Sequence, residues 1–263
     1  MLIREIIRPI EEFAPLALQE SYDNSGLIVG RLDDELRGGV LLAVDVTEAV
    51  IAEAIERGCG MIITHHPIIF HPMKRFNSSS VVERCVEQAI RNNIALYACH
   101  TNLDAAQGGM SWRVGEMLGL QGMEVLSPAT DGVTGFGVVG ELPTAISEQN
   151  FLAEVCKRFG VQALRHSALL GRDVKRVAIC TGSGASLMSE ACRAKCDVYL
   201  TADLKYNDFY LPDGEFVVAD MGHFESEFCA ISILFDILSK NFTNFATHKS
   251  TQSKNPVLLR VKG

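Results

Sequence analysis

Short apolar runs alternate with segments of helical period along almost the whole chain. Residues 3–13 repeat their apolar positions at helical spacing, and 40–44 form a continuous apolar run of strand length. Residues 47–57 read as a helix, 61–64 as a buried strand, 81–92 as a helix, 94–98 as a strand and 109–118 as a helix. The polar stretch 71–80 reads as a loop. The pattern weakens over 121–131, where Ser127-Pro128 suggests a boundary or a crossing linker. A second series follows, with strands expected at 136–139, 174–179, 197–200 and 216–219. Helices are expected at 147–159, 185–194 and 225–238. Residues 241–255 read as a loop or flexible connection, and 256–261 as a closing strand. Such alternation predicts an α/β fold with mainly parallel strands.

A chain of 263 residues can build one large or two modest domains. With 32 acidic against 24 basic residues the net charge is −8, which argues against a broad nucleic-acid surface. An acidic balance still admits an anionic small substrate, because a bound metal reverses the local field. No apolar run approaches the roughly 20 residues that a membrane span needs, so no membrane association is expected. The first residues read as a charged amphipathic helix start and not as a signal peptide. The eight cysteines stand in apolar contexts such as Ala98-Cys99 and Ile179-Cys180, as expected of reduced thiols in a cytoplasmic protein. Cys192 and Cys196, one helical turn apart, read as packing or surface thiols, since no second ligand pair is near them in sequence.

The candidate chemistry lies just past the predicted strands. His65 and His66 end the run Met61-Ile62-Ile63-Thr64, and Pro67 stops it. That places two imidazoles at the C-terminal end of a buried strand, the usual ligand location in open α/β sheets. Adjacent strand residues point to opposite faces, so two metals suit the pair better than one. His100 and Asp104 follow the strand at 94–98, and the carboxylate could bridge two divalent ions. The bland role for Asp104 alone is a helix cap or turn. His223 and Glu227 follow the strand at 216–219 and, four apart, share one helix face. A lone pair of that kind is more often structural, as acids at a helix start are. Weight comes from the combination, since four of the seven histidines fall just past predicted strands. His71 could line the mouth of a site, while His166 and His248 read as surface residues.

The turn Thr181-Gly182-Ser183-Gly184 could present backbone amides to an anion or be simply a tight turn. Leu187 stands where a dinucleotide fingerprint needs its third glycine. No nucleophilic-serine elbow or Walker loop occurs, and Trp112 and the phenylalanines are spaced like core residues.

These residues closely resemble the NIF-three-like family, often labelled GTP cyclohydrolase I type 2 homologues, over essentially the full length. The resemblance runs through Asp23-Asn24-Ser25-Gly26, Asp45-Val46-Thr47, Thr64-His65-His66-Pro67 and His100-Thr101-Asn102-Leu103-Asp104. It continues through Thr181-Gly182-Ser183-Gly184, Leu200-Thr201-Ala202-Asp203 and Gly222-His223-Phe224-Glu225-Ser226-Glu227. It implies two linked α/β lobes with mainly parallel or mixed sheets and a dinuclear metal site between them. The weakened stretch then divides the chain at 1–125 and 126–263, with the C-terminal segment returning to the first lobe. The chain looks like the compact form without the mid-chain insert of longer relatives. The resemblance implies a ring-shaped homohexamer and metal ligands at His65, His66, Asp104, His223 and Glu227, with Asp104, or both Asp104 and Glu227, shared between ions. Tyr22 stands where a tryptophan is common, and Asn207 where relatives often have a histidine.

Three neutral imidazoles and two carboxylates leave two divalent ions with a surplus of two positive charges, which would attract a phosphate ester or nucleotide. The leading expectation is therefore metal-assisted hydrolysis of a nucleotide or other phosphorylated small molecule, in one version a GTP cyclohydrolase-like ring opening. His100 is expected to be a catalytic, proton-transferring group or to support the ligands from behind. Mixed nitrogen and oxygen ligands accept zinc, iron or manganese. The alternatives are a metal-storing, metal-delivering or scaffold protein, and a metal-free interaction module.

Overall fold

The computed structural model describes residues 1–260. Its described residues divide into two compact units, one of residues 1–106 with 230–254 and one of 107–229 with 255–260. Each is built around its own mixed sheet.

The first unit opens with α1 (Ile3–Phe13), whose Ile3, Ile6, Ile7 and Ile10 are buried as the helical spacing predicts. β1 (Gly26–Val29) and β2 (Gly39–Ala43) follow. Thr47 then caps α2 (Glu48–Glu56) by accepting from the Val50 amide. After β3 (Cys59–Thr64), Ser80 caps α3 (Val81–Arg91) in the same way. β4 (Ala95–Ala98) leads into the short α4 (Thr101–Ala105). Every residue of β2 and β4 is buried, which is why these strands read as unbroken apolar runs.

The second unit begins with α5 (Met110–Leu118), β5 (Gln121–Pro128) and β6 (Gly135–Ser147). It continues with α6 (Glu148–Phe159), β7 (Arg165–His166), β8 (Asp173–Ile179), α7 (Met188–Arg193) and β9 (Val198–Thr201). β10 (Val217–Asp220) and α8 (His223–Glu227) follow. Its sheet order is β5-β6-β8-β9-β10-β7, with β8, β9 and β10 mutually parallel. The chain then returns through α9 (Cys229–Asn241) to β11 (Thr247–Lys249), which pairs with β2. The first sheet is thereby completed in the order β1-β4-β3-β2-β11, with β2, β3 and β4 parallel and β1 antiparallel at the edge. Parallel neighbours bring their C-terminal ends to one edge of each sheet, and that is where the candidate residues sit.

Four expectations are corrected. The stretch 121–131 is not a linker, because most of it is the edge strand β5, paired along its length with β6. Exposed and half-buried residues alternate there with one buried leucine, so it carries little apolar signal. Residues 256–260 form no strand, and Val261 lies outside the described residues. Within 241–255, expected to be loop, β11 supplies an edge strand, and His248 on it is half-buried and not a surface residue. The helix expected at 185–194 is a 3₁₀ turn, Ala185–Leu187, followed by α7. The eight cysteines form no disulfide. No helix of the described residues is long and apolar enough to cross a membrane.

Candidate metal centre

In the first unit, β3 ends at Thr64, so His65 and His66 lie just beyond the pleat. The alternation that would have sent them to opposite faces does not govern them, and their ring centroids are 4.9 Å apart. The Thr64 hydroxyl donates to the His66 carbonyl at 2.8 Å, and the His66 amide donates to Val44 of the neighbouring strand end. His100 follows β4 at the same edge, 5.2 Å from the His65 ring and 5.4 Å from that of His66. One ligand atom from each of His65, His66 and His100 lies within 4.8 Å of the others. Asp104 stands inside α4, one turn on, with Oδ1 3.8 Å from His65 Nε2. It is not the N-cap of α4, a position that His100 occupies.

The far side of each ring is equally well defined. His65 Nδ1 is 2.8 Å from the Cys99 carbonyl, His66 Nδ1 is 2.8 Å from Asp45 Oδ1 and His100 Nδ1 is 2.7 Å from Asp23 Oδ1. Carbonyl and carboxylate oxygens only accept, so each Nδ1 carries a proton and donates it, and in the neutral ring the lone pair is on Nε2. The His65 side chain is fully buried. Asp23 also accepts from the Thr101 amide and hydroxyl. Burial alone would raise the Asp23 pKa, but the hydrogen bonds from His100 and Thr101 and the charge of His100 outweigh it and hold the carboxyl well below its usual range.

The second unit repeats the arrangement at the C-terminal ends of β8, β9 and β10. His223 and Glu227 lie on α8 with Nε2 and Oε2 2.9 Å apart. On the other side of the ring, Nδ1 meets Asp203 Oδ2 at 2.8 Å. Burial alone would lower the His223 pKa, yet Glu227 and Asp203 together push it up to about 9. Two carboxylates on one ring thus favour positive charge, which a divalent cation can supply in place of the proton.

The glycine-rich turn after β8 serves this pair. The Gly182 amide donates to Ser226 Oγ, the Gly184 amide to Thr201 Oγ1 and the Thr181 amide to Ser111 Oγ, so these three are committed to side chains. Gly182 has φ +64°, and a Cβ there would stand 2.3 Å from Glu227 Oε1, so only glycine lets that carboxylate sit where it does. Ser183 Oγ donates to Asp203 Oδ2, the same oxygen that His223 uses.

Each set on its own presents nitrogen and oxygen donors suited to a divalent ion, with rings oriented from behind. The residues that orient these rings, Asp23, Asp45 and Asp203, have no role in the sequence pattern alone. Their signal is position, because Asp45 and Asp203 stand within two residues of a parallel strand's C-terminal end, as the histidines do. His71 lies exposed in the 71–80 loop with its ring 5.2 Å from that of Phe70, which is itself 6.1 Å from the His100 ring, and His166 is exposed in β7.

The sequence profile of the Duf34/NIF3 (NGG1p interacting factor 3) family matches residues 1–256. A Clostridium perfringens protein named GTP cyclohydrolase 1 type 2 homolog is 34% identical over 231 residues, covering 86% of this chain and 87% of its own. A Lactococcus lactis protein of the same name is 33% identical over 261 residues, covering 97% and 98%. Among solved structures, a Bacillus cereus protein related to NIF3 superposes with a TM-score of 0.90 at 24% identity, over 99% of both chains, which supports the fold. With the profile spanning nearly the whole sequence and relatives above 30% identity along most of it, the chain belongs to the Duf34/NIF3 family.

Proposed function

We propose that the protein is a metal-dependent hydrolase of a phosphorylated small molecule, in its leading form a nucleotide. His65, His66 and Asp104 of the first unit and His223 and Glu227 of the second are its ligands, for two divalent ions per chain, zinc, iron or manganese. Treating the two sets as one centre rests on the family resemblance of the sequence. The observation that carries the reading is the second nitrogen of each ring. The Nδ1 atoms of His65, His66, His100 and His223 all meet a carboxylate or carbonyl oxygen at 2.7–2.8 Å. Ligating histidines are held in this way, because the partner fixes the tautomer and raises the basicity of Nε2. Core histidines have no physical reason to repeat it four times at strand ends.

When bound, a pair of divalent ions supplies Lewis acidity and activation of water at neutral pH. The chain's own residues do the rest. Three neutral imidazoles and two carboxylates leave positive charge for an anionic phosphate. Asp45, Asp203 and the Cys99 carbonyl hold the ligand rings in place. His100, fixed by the buried Asp23 carboxylate, takes up and returns a proton at Nε2. The nucleotide version draws support from the name that the Clostridium perfringens and Lactococcus lactis relatives carry. A homohexamer belongs to the same proposal, on the resemblance alone, and sedimentation reads it directly.

The test is turnover screening over nucleotides on protein of known metal content. An Asp104→Ala variant should lose hydrolysis, and full activity in that variant overturns the reading. Rapid metal transfer to an acceptor with no turnover of any phosphate compound makes the protein a carrier instead.

A further inference from the structure

Beside the histidine set of the first unit lies a row of partly exposed aromatic rings. Tyr22 is 64% exposed and Phe70 39% exposed, and their centroids are 6.4 Å apart at 59°. Phe70 in turn stands 6.1 Å from the His100 ring at 80°. The row therefore runs from solvent to the candidate centre.

Exposed aromatic residues scattered singly need no explanation. These two are in contact with each other, and their loops are anchored. The Asn24 side-chain amide donates to the Ile69 carbonyl at 2.7 Å, tying the segment of Tyr22 to that of Phe70. The Glu20 amide donates to Thr101 Oγ1, and the Thr101 amide to Asp23 Oδ2, at 3.0 Å each. Ile68 and Ile69 pack against the core of the unit. The segments that carry the two rings are thus tied down, so binding need not meet the cost of ordering them. Flat ring surface next to a phosphate-attracting centre is what a nucleobase uses, since every base has a face to stack.

We infer that Tyr22 and Phe70 form the platform on which the planar ring of the substrate stacks. This narrows the substrate class from phosphorylated compounds at large to those carrying an aromatic heterocycle, that is, nucleotides over sugar phosphates. The inference deepens the hydrolase reading of the same site and rests on it.

The experiment compares equilibrium binding of GMP and of ribose 5-phosphate to the metal-loaded full chain by calorimetry. GMP should bind at least about tenfold more tightly, the range of one base–aromatic stack. Tyr22→Ala and Phe70→Ala should each remove most of that difference and leave ribose 5-phosphate affinity within about twofold. Tyr22→Leu and Phe70→Leu, which keep apolar volume but no ring face, should do the same, and Tyr22→Trp should preserve the preference. Equal binding of the two probes by the wild type, binding of neither, or an unchanged preference in the leucine variants overturns the platform. A Tyr22→Ala protein that keeps the preference but changes its subunit count makes the patch an interface and also overturns it. The hydrolase reading fails separately, through metal content and turnover measured on the same samples.

Discussion

Asp23 Oδ1 lies 2.7 Å from His100 Nδ1, and the Asp23 side chain is completely buried while the ring keeps an exposed edge. The carboxylate therefore works as an anchor that holds one tautomer and one ring orientation. Asp23→Asn should keep the metal content and lower turnover by about 10- to 100-fold, the usual cost of losing such a partner. Asp23→Ala should in addition cost about 2–3 kcal/mol in urea unfolding, because the Thr101 amide and the His100 ring lose their buried acceptor.

Gly182 is a second point of control. Its positive φ and its contact with Glu227 leave no room for a methyl group. Gly182→Ala should destabilise the protein by about 1–3 kcal/mol and weaken metal binding, read by unfolding and by competition with a chelator. Gly160, also at positive φ but with nothing near its missing Cβ, provides the control. Gly160→Ala should show the backbone cost without the loss of metal.

The buried Glu53 carboxylate ties 250–252 to α2. It accepts from the Ser250 and Thr251 hydroxyls and from the Thr251 and Gln252 amides, and Arg57 Nε stands 3.0 Å away. Burial alone would raise its pKa, but these hydrogen bonds bring it down to about 2. The folded-state value lies below the unfolded one, so the stabilisation is complete above about pH 4.5 and is lost as pH falls toward 2. It amounts to about 3 kcal/mol. Wild-type unfolding free energy should fall through that window, and Glu53→Gln should flatten this component of the profile.

Much of this was legible in the chain because β2, β3 and β4 are buried on both faces, which leaves unbroken apolar runs with sharp ends. The histidines stand out because they follow those ends. Edge strands were not legible. β5, β7 and β11 are half-exposed or short, so pairing with a neighbour and not an apolar pattern makes them strands. His65 and His66 escape the strand alternation for a local reason, since β3 stops at Thr64. The orienting aspartates were hidden because an isolated Asp in a loop has many roles. Only the fold shows that Asp23 approaches His100 across 77 positions of sequence.

Asp203 offers a cleaner probe of the second unit than His223 itself, because it touches the ring only from behind. Asp203→Ala should leave the fold stable within about 1 kcal/mol, as the residue is half exposed. It should weaken metal affinity by about 10- to 100-fold, read by equilibrium dialysis. Unchanged affinity would detach Asp203 from the centre.

The most direct measurement is elemental analysis of the full chain after equilibration with zinc, iron(II) or manganese and removal of loose metal. Close to two divalent ions per chain are expected, falling to one or none in Asp104→Ala and in Glu227→Ala. A wild-type protein that stays metal-free with all three ions, or variants that keep the full complement, would contradict the two-ion centre.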